Sequence, residues 1–111
     1  MELTTEHFKQ CELTRVEGRI DSQTAPDLQE ALEALMDSGH YKIVLDMSGV
    51  EFISSAGLRV LIRTQKECKR LNRGELVLAA VPERVKEALD LAGLIPVFRV
   101  TDDVVHAVGN F

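Results

Sequence analysis

The chain has 111 residues, 45% of them hydrophobic and 28% charged, and its formal net charge is −5. This size and composition are typical of one globular domain spanning residues 1–111, and the negative charge argues against non-specific nucleic-acid binding. No apolar run is long enough to enter a membrane, the first six residues are polar rather than signal-like, and two cysteines favour reduced thiols in the cytoplasm.

The first elements in chain order are short strands followed by a helix. Residues 4–18 contain strand-like pieces in which Thr14 and Val16 alternate with charged neighbours. A helix is predicted to begin near Thr24, because Thr24 and Asp27 have the spacing of a capping box. Its apolar stripe consists of Leu28, Ala31, Leu32 and Leu35.

The middle of the chain predicts a buried strand, a polar loop and a second helix. The continuous apolar run Ile43-Val44-Leu45 suits a strand covered on both faces of a parallel sheet. Asp46 and Ser48 would then lie at the carboxyl end of this strand, where functional groups of α/β sheets gather. The second helix is predicted from about Leu58 to Leu71. Its buried side would carry Leu58, Leu61, Cys68 and Leu71.

The last third continues the alternation of strands and helices. Residues 76–80 predict another buried strand, Pro82 opens a helix that ends at Gly93, and residues 97–100 predict a short last strand. Thr101 is predicted to cap a final helix, with its inner side formed by Val104, Val105 and Val108. Such alternation favours an α/β domain with a largely parallel sheet, although the pattern leaves the strand order open.

Two adjacent serines, Ser54 and Ser55, stand at the entrance to the second helix. A helix N-terminus has unsatisfied N–H groups and partial positive charge, which suit a phosphoryl group as well as an ordinary serine cap. The sequence around Ser55 lacks the Gly-x-Ser-x-Gly pattern of a nucleophile elbow, and no phosphate-binding glycine loop occurs. The histidines, His7, His40 and His106, are read as isolated, so we expect no catalytic residue, cofactor or metal.

The sequence around these serines resembles the signature of the STAS family, the anti-sigma-factor antagonists and their relatives. The matching residues are, in order, Asp46, Ser48, Val50, Phe52, Ile53, Ser55, Gly57 and Leu58. Residues 18–25 and 82–94 are similar to two further family segments. The resemblance implies a single STAS domain, with a small mixed sheet of four to five strands and about four helices packed against it.

The resemblance also implies a switch and its partners. Ser55 falls at the phosphorylated position of the family, with Ser54 as the less favoured alternative because it stands where many partner-switching members carry aspartate. The unphosphorylated form would bind an anti-sigma factor that is also a serine protein kinase, and a serine phosphatase would restore that form. The alternative is a constitutive subunit or scaffold of a transporter or stress-signalling complex. A hydrolase or ligand sensor using Ser55 is a weaker third reading.

The implied partner surface surrounds the serines. Its residues are Asp21, Ser22, Thr24, Asp46, Ser48, Ser54, Gly57, Leu58 and Arg59. Each has a purely structural alternative: local turns for Asp46 and Ser48, helix capping for Thr24, and backbone freedom at a tight turn for Gly57.

Basic residues recur at helical spacing on the second helix, beginning four positions after Ser55. They are Arg59, Arg63, Lys66 and Arg70. They are interpreted either as a solvated face or as a positive surface toward an acidic partner or the acidic first helix.

Overall fold

A computed structural model describes all residues from Met1 to Phe111. The strands are β1 (Glu2–His7), β2 (Glu12–Ile20), β3 (Lys42–Ile53), β4 (Glu75–Ala79) and β5 (Arg99–Thr101). The α-helices are α1 (Ala25–Asp37), α2 (Ser55–Lys69), α3 (Glu83–Leu91) and α4 (Val104–Gly109), and 3-10 turns occupy Arg70–Asn72 and Ile95–Val97. None of the helices is long and apolar enough to cross a membrane.

The five strands form one mixed sheet in the order β1-β2-β3-β4-β5. β1 pairs with β2 in antiparallel fashion, whereas the β2–β3, β3–β4 and β4–β5 pairs are parallel. This architecture confirms the predicted α/β class, with its largely parallel sheet and four helices. The sequential order also resolves the strand arrangement that the pattern left open.

Three helices pack on one face of the sheet and the fourth packs on the other. Because the parallel strands follow one another in order, right-handed crossovers carry α1, α2 and α3 to the same side. The larger core cluster joins side chains of these three helices, such as Leu32, Leu61 and Leu89, to the sheet. The smaller cluster joins Ala107 of α4 to the opposite face. Central strand residues are therefore covered on both sides, as the run Ile43-Val44-Leu45 predicts.

The predicted polar loop after Leu45 is wrong, because β3 continues without a break to Ile53. The register explains how polar residues fit into this strand. Arg15 lies opposite Asp46 whereas Glu17 lies opposite Gly49, so β3 contains one residue more than β2 between these pairs. A second shift follows before Ile53. Such bulges break the inward–outward alternation and bend the strand, which hides the strand pattern in the sequence.

The boundaries of α2 also differ from the prediction. The helix begins at Ser55, three residues before Leu58, because Ser54 already has the extended backbone of an N-cap residue. At the other end, Leu71 is 78% exposed and has φ of +59°, so its predicted burial is wrong. The chain leaves the helix after Lys69, which turns Leu71 away from the core.

The last helix is capped by a different residue from the one predicted. The N-cap of α4 is Asp103, whose carboxylate accepts from the His106 N–H at 2.8 Å. The hydroxyl of Thr101 donates instead to the Asp103 carbonyl oxygen. The shift in phase places Ala107 in the core and leaves Val105 80% exposed. The predicted capping by Thr101 and burial of Val105 are therefore wrong.

Candidate functional site

The two serines at the start of α2 have different surroundings. The Ser54 N–H donates to the Ile20 carbonyl oxygen at 2.8 Å, which ties the end of β3 to the end of β2. The Ser54 hydroxyl accepts from the Gly57 N–H at 3.4 Å, and its side chain is half-buried. Ser55 is the first helical residue, is exposed and makes no side-chain hydrogen bond within the chain. Ser54 therefore caps the helix, whereas Ser55 offers an accessible hydroxyl.

Gly57 lets the first turn of α2 lie directly against the ends of β2 and β3. A Cβ atom at this position would lie 2.7 Å from both Ile20 Cγ2 and Ile53 Cγ1. Its backbone is not in the left-handed region, so the interpretation as a residue chosen for turn freedom is wrong. Glycine is required here because there is no space for a side chain. The close approach that it allows holds the serines against the sheet.

We expect Gly57→Ala to lower the free energy of unfolding by about 1–3 kcal/mol, because the added methyl group overpacks the contact with Ile20 and Ile53. Chemical denaturation measures this change. Gly109→Ala is the matched control, since a Cβ at Gly109 meets no atom within 4 Å. A Gly57→Ala protein as stable as the Gly109→Ala protein would contradict the steric role.

The loop between β2 and α1 is held by hydrogen bonds of its own. The Asp21 carboxylate accepts from the backbone N–H groups of Gln23 and Thr24 at 3.0 and 3.1 Å, and these bonds lower the pKa of Asp21. The Thr24 hydroxyl accepts from the Asp21 N–H and donates to the Arg19 carbonyl oxygen. Thr24 is the N-cap residue of α1, as predicted, but its hydroxyl makes no capping hydrogen bond, so the predicted side-chain capping is wrong. The hydroxyl braces the loop instead.

This loop lies beside the beginning of α2. Ser22, which is exposed, borders an open hollow of about 190 Å³ between α1 and α2. Ala56 and Arg59 border the same hollow from α2. The structure therefore brings the predicted loop and the predicted helix start together on one surface. Leu58, on the same turn of α2, is half-buried against the larger core.

Asp46 lies inside the sheet rather than at its carboxyl edge. It is 3% exposed, and its carboxylate accepts from Arg15 Nε at 2.8 Å and from the Ser48 N–H at 3.0 Å. Burial alone would raise the pKa of Asp46, but the bonds from Arg15 and Ser48 outweigh it and lower the pKa. Ser48 itself is exposed. The predicted position at the end of the strand is wrong for both residues, and Asp46 supports β3 from within.

The basic residues of α2 divide into free and paired groups. Arg59, Arg63 and Lys66 are exposed, make no ion pair and border a shallow hollow beside Ile62. Arg70 lies beyond the end of α2 and pairs with Glu67 at 3.2 Å. We call Arg59, Arg63 and Lys66 the basic strip.

The acidic residues of α1 form no ion pair with the basic strip. No ion pair joins α1 to α2, so the predicted pairing between these helices is wrong. The three cations of the strip are therefore free of ion pairs, although Arg63 borders a hollow that Glu33, Asp37 and Glu67 also border.

A second polar cluster lies at the other end of the sheet. Glu12 is 4% exposed, and its carboxylate pairs with Nδ1 of two histidines. These are His7 and His40, the latter at 3.3 Å. The interpretation of His7 and His40 as isolated residues is wrong, since both pair with this carboxylate. No group of three or more such side chains is arranged to hold a metal ion.

A hollow of about 260 Å³ borders this cluster. Glu12 is at the start of β2 and Ile20 at its end, so roughly 25 Å separate the cluster from the serines. The hollow is therefore a feature distinct from the serine junction.

Two arginines that the sequence analysis did not single out support the site. Arg15 neutralises the buried Asp46, and Arg19 stacks over the Phe52 ring with its guanidinium carbon 4.4 Å from the ring centroid. Both contacts join β2 to β3. Because β2 also carries Glu12, Glu17 and Arg19, no signal in the sequence distinguishes Arg15 from an ordinary exposed strand residue.

A mixed five-stranded sheet whose central strand delivers an exposed serine to a helix start defines a small α/β domain built around one strand-to-helix junction. The chain belongs to the STAS domain family, which matches residues 2–107. The predicted family resemblance is thereby confirmed.

Known proteins with this domain include regulators of sigma factors. BtrV of Bordetella bronchiseptica, named as a candidate anti-sigma factor antagonist, is 32% identical over 111 residues, covering 100% of this chain and 95% of BtrV. The crystal structure of an anti-sigma factor antagonist from Mycobacterium paratuberculosis has a TM-score of 0.89 and 26% identity, covering 98% of this chain and 92% of that one.

The same fold also occurs in a different setting. A sulfate transporter family protein from Wolinella succinogenes has a TM-score of 0.75 and 24% identity, covering 88% of this chain and 81% of that one. This likeness shows the fold alone.

Proposed function

We propose that the protein is an anti-sigma factor antagonist whose binding is controlled by phosphorylation of Ser55. The observation that carries this proposal is the contrast between the serines: Ser54 is engaged as a helix cap, whereas Ser55 is exposed and unbonded on a rigid junction. The full-length similarity to BtrV supports the regulatory role. The protein acts by binding, and it leaves transcription to the sigma factor that its partner releases.

The junction suits a switch because the fold and a partner respond differently to a phosphate. Phosphorylation adds about −1.5 to −2 charges at neutral pH. The first turn of α2 contains no acidic residue, and its free N–H groups favour negative charge, so the fold tolerates the modification. A partner packed over Ser55 loses contact and encounters a new charge. Binding therefore changes while the structure does not.

The protein supplies the hydroxyl group that accepts the phosphoryl group, and its partners catalyse the transfer and the hydrolysis. The anti-sigma factor, acting as a serine kinase, transfers the γ-phosphoryl group of ATP to Ser55 Oγ and releases ADP and the hydroxyl proton. A serine phosphatase then hydrolyses the ester with water and returns inorganic phosphate. No residue of this chain takes a catalytic role in either step.

The partner surface combines the junction with the neighbouring loop and the basic strip. Ser22 and Arg59 border one hollow beside Ser55, and the remaining cations of the strip continue along α2. An anti-sigma factor with carboxylates facing Arg59, Arg63 and Lys66 would be attracted and oriented by this surface. Asp46 contributes by holding β3 in shape, since its buried carboxylate is already paired.

A site-specific crosslinking experiment in the native cell tests the proposed partner. A photoreactive phenylalanine analogue replaces Ile62, a half-buried residue that borders the same hollow as the basic strip. In a control, the analogue replaces the exposed Val105 of α4. We expect the variant at position 62 alone to capture a protein with an ATP-binding serine kinase domain. Capture should disappear when Ser55→Asp is combined with it. Capture of a membrane transporter instead would favour the constitutive-subunit alternative.

A further inference from the structure

We infer that Arg59 binds the phosphate group once Ser55 is phosphorylated. Arg59 is then no longer available to the partner. The inference rests on the proposed phosphorylation of Ser55. Arg59 lies four residues after Ser55 on the same helix, and side chains at this spacing are neighbours on the helix surface. Both are exposed, and Arg59 makes no ion pair or hydrogen bond within the chain.

The other charged groups around the junction are less available. Arg19 is exposed, but its guanidinium stacks on Phe52. Arg63 lies eight residues after Ser55, about 12 Å along the helix axis and beyond the screening length at physiological salt. The neighbouring carboxylates belong to Asp21, which is bonded within its loop, and to Glu51 on β3. Neither contacts Arg59, which is therefore free to turn toward the phosphate.

The consequence is a competition for one arginine. In the unphosphorylated protein, Arg59 is the cation of the basic strip nearest to Ser55 and is free for carboxylates of the partner. In the phosphorylated protein, its guanidinium donates hydrogen bonds to the phosphate oxygens of the same chain, a geometry that arginine favours. The phosphate thus acts in two ways: it adds repulsion at Ser55 and removes attraction at Arg59.

A phosphorus NMR titration tests the inference without any partner. Phosphoserine is incorporated at position 55 by translation with a phosphoserine-specific suppressor tRNA, and the second ionisation of the phosphate is followed near pH 6 at an ionic strength of about 0.15 M. We expect Arg59→Gln to raise the titration midpoint by about 0.3 pH unit, because the dianion loses its neighbouring cation. Glutamine keeps a high helix propensity, so the backbone is preserved.

Three variants with the same loss of charge serve as controls. Arg63→Gln tests the next cation of the strip, Arg19→Gln tests the stacked arginine, and Arg84→Gln tests an exposed arginine on α3. Each should leave the midpoint within about 0.1 pH unit of the parent. An unchanged midpoint in Arg59→Gln, or a larger change in any control, overturns the inference. Since phosphoserine is supplied by translation, that result leaves open whether cells phosphorylate Ser55, which is measured separately.

Discussion

Replacing Ser55 by aspartate is expected to weaken binding to the anti-sigma factor at least about tenfold while leaving the free energy of unfolding nearly unchanged. The new carboxylate stands where the partner would pack, so the complex loses contact and gains an unfavourable charge. Within the isolated domain, the same carboxylate lies in the first turn of α2, where negative charge is tolerated. Calorimetric titration with the partner captured by crosslinking measures the affinity, and chemical denaturation measures the stability.

Two further variants separate the position of the charge from the charge itself. Val105→Asp also places a carboxylate in the first turn of an exposed helix, but on α4, which packs on the opposite face of the sheet. It should bind the partner as tightly as the wild type. Ser55→Ala should also bind, because it removes only a hydroxyl, but it should no longer respond to the kinase and ATP. Equal affinities for Ser55→Asp and Val105→Asp would contradict the switch.

Replacing Arg15 by methionine is expected to lower the free energy of unfolding at pH 7 by about 2 kcal/mol, because it leaves the Asp46 carboxylate buried without its cation. Asp46 is 3% exposed and keeps only Ser48 as a hydrogen-bond donor. Methionine retains the length of the arginine stem, so the apolar contacts of that stem change little. Denaturant unfolding at several pH values measures the effect.

The pH dependence of this loss has a defined sign. In the wild type the pKa of Asp46 is lowered, so its contribution to stability is present above the unfolded value near 4 and is lost as the pH falls through the folded value. Without Arg15, burial is less opposed and raises the pKa of Asp46. The variant should therefore bind a proton more readily. Its deficit relative to the wild type should shrink as the pH is lowered from 7 toward 4.

Arg99→Met is the matched control for Arg15→Met. Arg99 also lies on a strand and pairs with a carboxylate at 2.9 Å, but its partner Glu75 remains partly exposed. Its removal should cost less than about 1 kcal/mol, as for other solvent-accessible ion pairs. If Arg15→Met and Arg99→Met lose equal stability, or if the Arg15→Met deficit does not change with pH, the buried pair does not have the role assigned to it.

The strand β3 shows why part of the fold could be predicted from the sequence and part could not. The apolar run Ile43-Val44-Leu45 identifies a buried strand, because a strand covered on both faces has no polar side. The continuation through Asp46 and Ser48 depends on bulges against β2 and on a cation 31 residues away in sequence. The local sequence pattern shows neither feature, so it predicts a loop at these polar residues.

The junction that carries Ser54 and Ser55 was likewise predictable from the sequence only in part. The family motif identifies Ser55 and Gly57, and the local sequence places both serines near a helix start. Which serine is exposed depends on where the helix begins, and that is set by the close contact of Gly57 with Ile20 and by the bond from the Ser54 N–H. These contacts join residues more than 30 positions apart in the sequence, so they become visible only in three dimensions.

Phosphopeptide mapping of the protein from its native cell, purified with phosphatase inhibitors, tests the central claim most directly. Cleavage after Lys42 and Arg59 releases residues 43–59, a peptide that contains Ser48, Ser54 and Ser55. Fragment ions that separate Ser54 from Ser55 locate the modification. The account predicts a single phosphoryl group on Ser55, with an occupancy that changes with growth conditions. A phosphoryl group confined to Ser54, or none under any growth phase or stress, would contradict it.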